Sequence, residues 1–172
     1  MMEIRDATAG DMGDVLAIYN DAVLNTTAVY DYAPRSLAVQ QEWFATKAAQ
    51  GWPVLVAAEG ERVVGFCSYG PFRAWPAYHR TVECSIYVAP DRRGRGIGKR
   101  LLPALLERAQ ASTFHAIVAG IDATNDASLR LHARLGFEKV AHFREVGWKF
   151  ERWLDVVIMQ RALGPGDARP AA

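Results

Sequence analysis

Ser85-Ile86-Tyr87-Val88-Ala89-Pro90-Asp91-Arg92-Arg93-Gly94-Arg95-Gly96-Ile97-Gly98-Lys99-Arg100-Leu101-Leu102 is the stretch on which the reading of this chain turns. An apolar, β-branched run ends at Pro90. A loop with glycines at alternate positions (94, 96 and 98) follows, and a helical pattern opens at once, with Ile97, Leu101, Leu102, Leu105, Leu106 and Ala109 on one face. Strand, glycine loop and helix together make an arrangement that binds phosphate. Glycines let the backbone approach an anion closely, and the first helical turn presents unpaired N–H groups at a positive dipole end. Five basic side chains and one acidic one lie between Asp91 and Arg100, so the local charge agrees.

The spacing excludes two common nucleotide motifs. A P-loop requires Gly, four residues, then Gly-Lys-Ser/Thr. Here Gly98-Lys99 is followed by Arg100, and Arg93 stands where the first glycine belongs. A dinucleotide fingerprint requires a third glycine or alanine where Lys99 stands, in a first βαβ unit rather than mid-chain.

Working outward, the spacing predicts a strand at 4–7 and a capped helix start at Thr8-Ala9-Gly10-Asp11. Met12, Val15, Leu16, Tyr19, Ala22 and Val23 then form one apolar helical face. Residues 25–32 are aperiodic, rich in hydroxyls and aromatics, and suit a surface turn or a substrate-facing loop. Pro34-Arg35-Ser36 opens a second helix that ends at Gly51. Strands at 54–58 and 63–69 flank the turn Glu59-Gly60-Glu61, and an aromatic loop at 70–79 interrupts the sheet before a strand at 80–88. The helix after the glycine loop runs to about Ala111. The segment 116–121 lacks alternation, as a strand buried on both faces does. Asn125 to Leu135 reads as a helix stopped by Gly136, and strands at 140–143 and 154–160 close the sheet.

Composition bounds the rest. The 172 residues, 51% hydrophobic and 10% aromatic, suit one folded domain, expected over 1–163 with a flexible tail at 164–172. A net charge of +1 argues against a dedicated nucleic-acid binder. No run reaches membrane-spanning length, and no signal peptide is evident at the start. Cys67 and Cys84 lack metal spacing and fit buried free thiols in a reducing cytoplasm. No metal site is expected, since His79, His115 and His142 have no partner pattern.

The spacing Arg93-x-x-Gly96-x-Gly98 resembles the pyrophosphate loop of the GNAT acetyltransferases, the GCN5-related N-acetyltransferase superfamily. Asn125-Asp126-Ala127-Ser128-Leu129-Arg130-Leu131-His132-Ala133-Arg134-Leu135-Gly136-Phe137 resembles the second half of the same signature, in the right order. The commoner pattern has Tyr where His132 stands. That substitution, with Thr81-Val82-Glu83, Arg73-Ala74-Trp75 and Gly147-Trp148-Lys149-Phe150, is similar to the branch containing phosphinothricin and methionine sulfoximine/sulfone acetyltransferases. The resemblance spans about residues 3–163.

The resemblance implies a GNAT fold: an α/β domain with a mixed, mostly antiparallel sheet of six or seven strands and helices on both faces. It implies acetyl-CoA as co-substrate, held by Ile86, Tyr87, Val88, Arg93, Gly94, Arg95, Gly96, Ile97, Gly98, Lys99 and Asn125. The acceptor, a small amino acid analogue, would meet Arg73, Ala74, Trp75, Glu83, Cys84 and Ser85, with Trp75 and Tyr78 walling the pocket and Phe72 packing its loop onto the core. Glu83 or His132 would take the proton of the amine, and His132 could instead donate to the thiolate. The backbone N–H of Val88 or its neighbour would polarise the thioester carbonyl. A homodimer is implied, and no nucleic-acid or membrane partner. The rivals are an acetyltransferase for protein N-termini or another small amine, a non-catalytic acetyl-CoA-binding module, and a nucleic-acid module resting on Arg92-Arg93-Gly94-Arg95.

Overall fold

The computed structural model describes residues 2–164, so the tail expected at 164–172 lies outside it except for Gly164. Seven strands form one sheet: β1 (Met2–Asp6), β2 (Val54–Glu59), β3 (Arg62–Pro71), β4 (Thr81–Val88), β5 (Ala116–Asp122), β6 (Glu138–Lys149) and β7 (Arg152–Ala162). Their order is β1-β2-β3-β4-β5-β7-β6. Helices α1 (Met12–Asn25) and α2 (Leu37–Ala49) are joined by residues 26–36, while α3 (Gly98–Gln110) and α4 (Asp126–Arg134) flank β5 in sequence.

Sheet pleating sends alternate residues to opposite faces, and each face has its own core. One core joins Met12, Val15 and Val23 of α1 to Val56, Val63 and Phe66 of the sheet. The other joins Leu101, Leu102 and Leu105 of α3, all at 0% exposure, to Cys67, Val82, Cys84 and Ile117. Each of those leucines contributes about 2 kcal/mol of transfer free energy. The apolar faces read from sequence are the buried ones, with Ile18 rather than Leu16 completing that of α1. Ahead of α1, Asp11 accepts from the Thr8 N–H at 2.6 Å and pairs with Arg5 at 2.8 Å.

Every adjacent pair of strands is antiparallel except β4 and β5. This parallel pair spans only Thr81↔Ala116, Val82↔Ile117 and Glu83↔Val118. β4 stays paired with β3 all the way to Gly65↔Val88. Its other edge is therefore released from Cys84 onward, and the sheet splays there.

The closing hairpin corrects the sequence reading. β6 and β7 are 12 and 11 residues long, far beyond 140–143 and 154–160. Register shifts at Lys139/Ala141 and Phe143/Gly147, with Glu145 at φ 49°, break the alternation that would have revealed their length.

Candidate active site

The splay between β4 and β5 opens a cleft of about 560 Å³ on one side, lined by Ile86, Tyr87, Val88, Arg93, Gly98 and Asn125 among others. The glycine loop borders it through Arg93 and Gly98. Gly94 and Gly96 adopt φ of +77° and +80°, which L-residues with a Cβ adopt only under strain, and a Cβ at either would point into open space. α3 begins directly after this exposed backbone, and Asn125 caps α4 by accepting from the Ser128 N–H at 3.1 Å. Glycine backbone, open space and a helix start suit a phosphate-bearing ligand such as coenzyme A.

The loop's charge is more committed than its sequence implies. Arg92 is tied to Asp91 and Glu59, and Arg93 to Asp21 at 2.5 Å. Arg95 and Lys99 have no carboxylate partner among the described residues.

On the sheet face shared with α1 and α2, a second cleft of about 380 Å³ is lined by Glu83, Ser85, Tyr87, Gly120 and Lys47 among others. Glu83 leans over β5, its Oε1 3.4 Å from where a Cβ of Gly120 would lie, so glycine there makes room for the carboxylate. Desolvation raises the pKa of Glu83, and the charge of Arg73 pulls the other way. Lys47 donates to the Tyr69 carbonyl at 2.8 Å, and burial lowers its pKa to about 8.

Between the two clefts lies a throat of about 60 Å³, to which His132, Asn125 and Ser128 contribute from the α4 side and Ser85 and Tyr87 from β4. His132 is 2% exposed, packs edge-on to Phe137, and its Nδ1 is 2.8 Å from the Ser128 carbonyl. A carbonyl only accepts, so Nδ1 carries the hydrogen and Nε2 the lone pair. Burial lowers the His132 pKa against the raising effect of that bond, which favours the neutral ring. Across the throat, the Ala89 N–H bonds Val64 on β3. By antiparallel alternation the N–H groups of Val88 and Ile86 then point into the gap.

A model of the Acetyltransferase (GNAT) family matches residues 15–137. The chain belongs to this family. It is 49% identical over 168 residues to the L-methionine sulfoximine/L-methionine sulfone acetyltransferase of Pseudomonas aeruginosa, covering 97% of this chain and 98% of that one. An acetyltransferase of Salmonella typhimurium, solved with its cofactor acetyl-CoA, superposes with a TM-score of 0.96 at 40% identity over 99% and 98% of the two chains. A phosphinothricin acetyltransferase of Sinorhizobium meliloti in complex with acetyl-CoA gives 0.94 at 40% identity over 99% and 93%. The mixed sheet with helices on both faces is thus the GNAT fold, and the protein is an N-acetyltransferase.

Within this acetyltransferase the residues expected at the cofactor converge: Ile86, Tyr87, Val88, Arg93, Gly98 and Asn125 share one cleft, and Gly94, Arg95, Gly96, Ile97 and Lys99 adjoin it in the loop and first turn. The Ile97 side chain turns into the α3 core, leaving its backbone to the loop. Glu83 and Ser85 share the second cleft. Cys84 offers only backbone there, because its thiol packs into the α3 core and burial pushes its pKa up to about 12. Arg73, Ala74 and Trp75 sit on the exposed loop joining β3 to β4. Trp75 is 73% exposed, and Phe72 stacks edge-on with Tyr78, so these aromatics do not form the cleft walls.

Four features were missed or left aside. Lys149 is 4% exposed and donates to the carbonyls of Val23, Thr26 and Val29 at 2.6, 2.9 and 2.6 Å. It pins residues 26–29, of which Thr27 and Ala28 line the cofactor-side cleft, so this segment faces the site. Lys47 had no signal beyond being a lysine on a helix. His142, set aside as having no metal-partner pattern, pairs with Asp155 at 2.7 Å. Trp148 and Trp153 are 47% and 58% exposed and pack edge-on against each other across the hairpin.

Proposed function

We propose that this acetyltransferase transfers the acetyl group of acetyl-CoA to the α-amine of a small amino acid analogue of the methionine sulfone, methionine sulfoximine or phosphinothricin type. The observation that carries the reading is the release of β4 from β5 just after Glu83. That residue stands where the cofactor-side and acceptor-side clefts approach each other. The names of the relatives at 49% and 40% identity support the same acceptor class.

The glycine loop and the start of α3 hold the pyrophosphate, with Asn125 and the β4 segment from Ile86 to Val88 along the arm. Acetyl-CoA supplies the thioester. Glu83 accepts the amine's proton, directly or through water, and the free nitrogen attacks the carbonyl carbon. The Val88 N–H donates to the carbonyl oxygen as negative charge develops there. The C–S bond then breaks, the nitrogen gives up its second proton, and the departing thiolate takes one up. His132 is the alternative base: its Nε2 lone pair suits it to accept a proton, not to donate one at the outset. Arg73 offers a fork to the sulfonyl, sulfoximine or phosphinyl oxygens.

The reading includes a cytoplasmic homodimer with one catalytic domain over 1–163. No helix among the described residues is long and apolar enough to cross a membrane. Exposed Val146, Trp148, Phe150 and Trp153 at the β6–β7 hairpin suit a subunit contact. The testing experiment is a panel of amino acids and their sulfone, sulfoximine and phosphinate analogues, assayed for CoA release. Methionine sulfone, methionine sulfoximine or phosphinothricin should lead the panel. Acetylation confined to peptide N-termini would overturn the reading.

A further inference from the structure

The acceptor-side cleft contains one cation whose placement the sequence did not reveal. Lys47 reaches it from α2, and its Nζ lies 3.0 Å from where a Cβ of Gly70 would stand. Gly70 is directly opposite Glu83 in the β3–β4 register, so lysine and glutamate share one face of the sheet. Yet Glu83 leans the other way, over Gly120 of β5. The two charges face one cleft from either side of β4, and no ion pair joins them. Of the three Nζ hydrogens, one is used on the Tyr69 carbonyl.

We propose that Lys47 binds the α-carboxylate of the acceptor, and so selects free amino acids over peptide N-termini and simple amines. The inference rests on the proposed function and names the group that makes its acceptor class specific. Lys47 lies over β3 and the Glu83 carboxylate leans over Gly120 of β5, with β4 between them. A charge-assisted hydrogen bond of ~2.8 Å at each end and the ~3 Å from the nitrogen to the carboxylate oxygens of an α-amino acid let one such molecule reach across a single strand. A zwitterion laid across β4 thus meets a cation at its carboxylate and a base at its amine. A peptide N-terminus has an uncharged amide in that position and leaves the desolvated ammonium without an anion. Partial burial, which lowers the Lys47 pKa to about 8, is the environment in which an anionic guest is worth most.

The test compares methionine sulfone with its carboxamide in the wild type, Lys47→Met and Lys47→Gln. Methionine keeps about the length and apolar stem of lysine, and glutamine keeps an uncharged hydrogen-bond donor on a slightly shorter stem. The wild type should favour the acid by about tenfold to a hundredfold in kcat/KM. Both variants should lose that factor on the acid and little on the carboxamide, bringing the ratio near one, with the KM for acetyl-CoA unchanged. Lys47→Arg should keep most of the preference. Equal losses on both acceptors would overturn the inference and make Lys47 a strut between α2 and β3. A wild type without acid preference would overturn it as well while leaving the proposed function standing. A wild type that acetylates neither compound would remove both.

Discussion

The two sides of the β4–β5 splay are built in different ways. The cofactor side takes its phosphate-binding features from backbone in one continuous stretch within residues 85–102, a strand edge, two glycines in the left-handed region and a helix start, with Thr27, Ala28 and Asn125 closing the cleft from elsewhere. The acceptor side is made of single side chains drawn from distant elements, Lys47 from α2 and Glu83 from β4, with Gly120 of β5 giving way to one of them. A backbone site carries its signature in local sequence, because turn and helix-start chemistry constrain residue type at fixed spacing. A side-chain site carries almost none, because any one of its members has an ordinary solvated alternative.

That contrast predicts separable effects. Removing the carboxylate at the junction should cost most: Glu83→Gln should lose about a hundredfold in kcat/KM near neutral pH, the scale of general-base catalysis, with acetyl-CoA affinity little changed. Next, Gly96→Val should weaken CoA binding by more than about tenfold, because a β-branched residue resists φ +80° and its side chain would project where the phosphates approach. Its acceptor KM should be unaltered, and unchanged CoA affinity in the folded variant would show that the loop is not the phosphate site. Arg73→Ala should raise the acceptor KM by about tenfold and leave that of acetyl-CoA alone; equal effects on both would reduce Arg73 to a structural residue.

The smallest expected effect lies outside both sides. Asp11 is held at about 2 by its hydrogen bond with Arg5, with the Thr8 N–H assisting against burial. A depressed carboxylate stabilises the fold above its unfolded value near 3.8 and loses that contribution as pH falls toward 2. Asp11→Asn should therefore cost about 2 kcal/mol at neutral pH and progressively less between about pH 4 and pH 2, without changing either KM. Thermal melting across that range checks it, and a cost that persists at the acid end would point to packing instead.

The same contrast explains what could be read beforehand. The two helices facing the cofactor, the buried strand β5 and the order of strands around the glycine loop follow from periodicity and caps, so the fold was legible. That Ile86, Tyr87, Val88, Arg93, Gly98 and Asn125 would line one cleft was legible too, since most of that spacing is local, whereas Thr27, Ala28, Phe150 and Arg152 on the same cleft were not. Lys47 and Lys149 were not, because a lysine is ordinarily solvated. Only tertiary neighbours put Lys149 against three carbonyls and Lys47 on the same cleft as Glu83. The β6–β7 hairpin escaped for a different reason. Two irregularities in pairing scrambled its alternation.

The measurement that bears most directly on the account is the pH profile of kcat/KM for the wild type and Glu83→Gln with the same acceptor amine. The raised pKa of Glu83 puts the acid limb of the wild type above the ordinary carboxylate range, and activity is lost as pH falls through it. The account predicts that the Glu83→Gln deficit is greatest near neutral pH and shrinks as alkaline solution deprotonates the amine unaided. A deficit constant across the profile would contradict it, making Glu83 a positioning residue and leaving the Nε2 of His132 as the base.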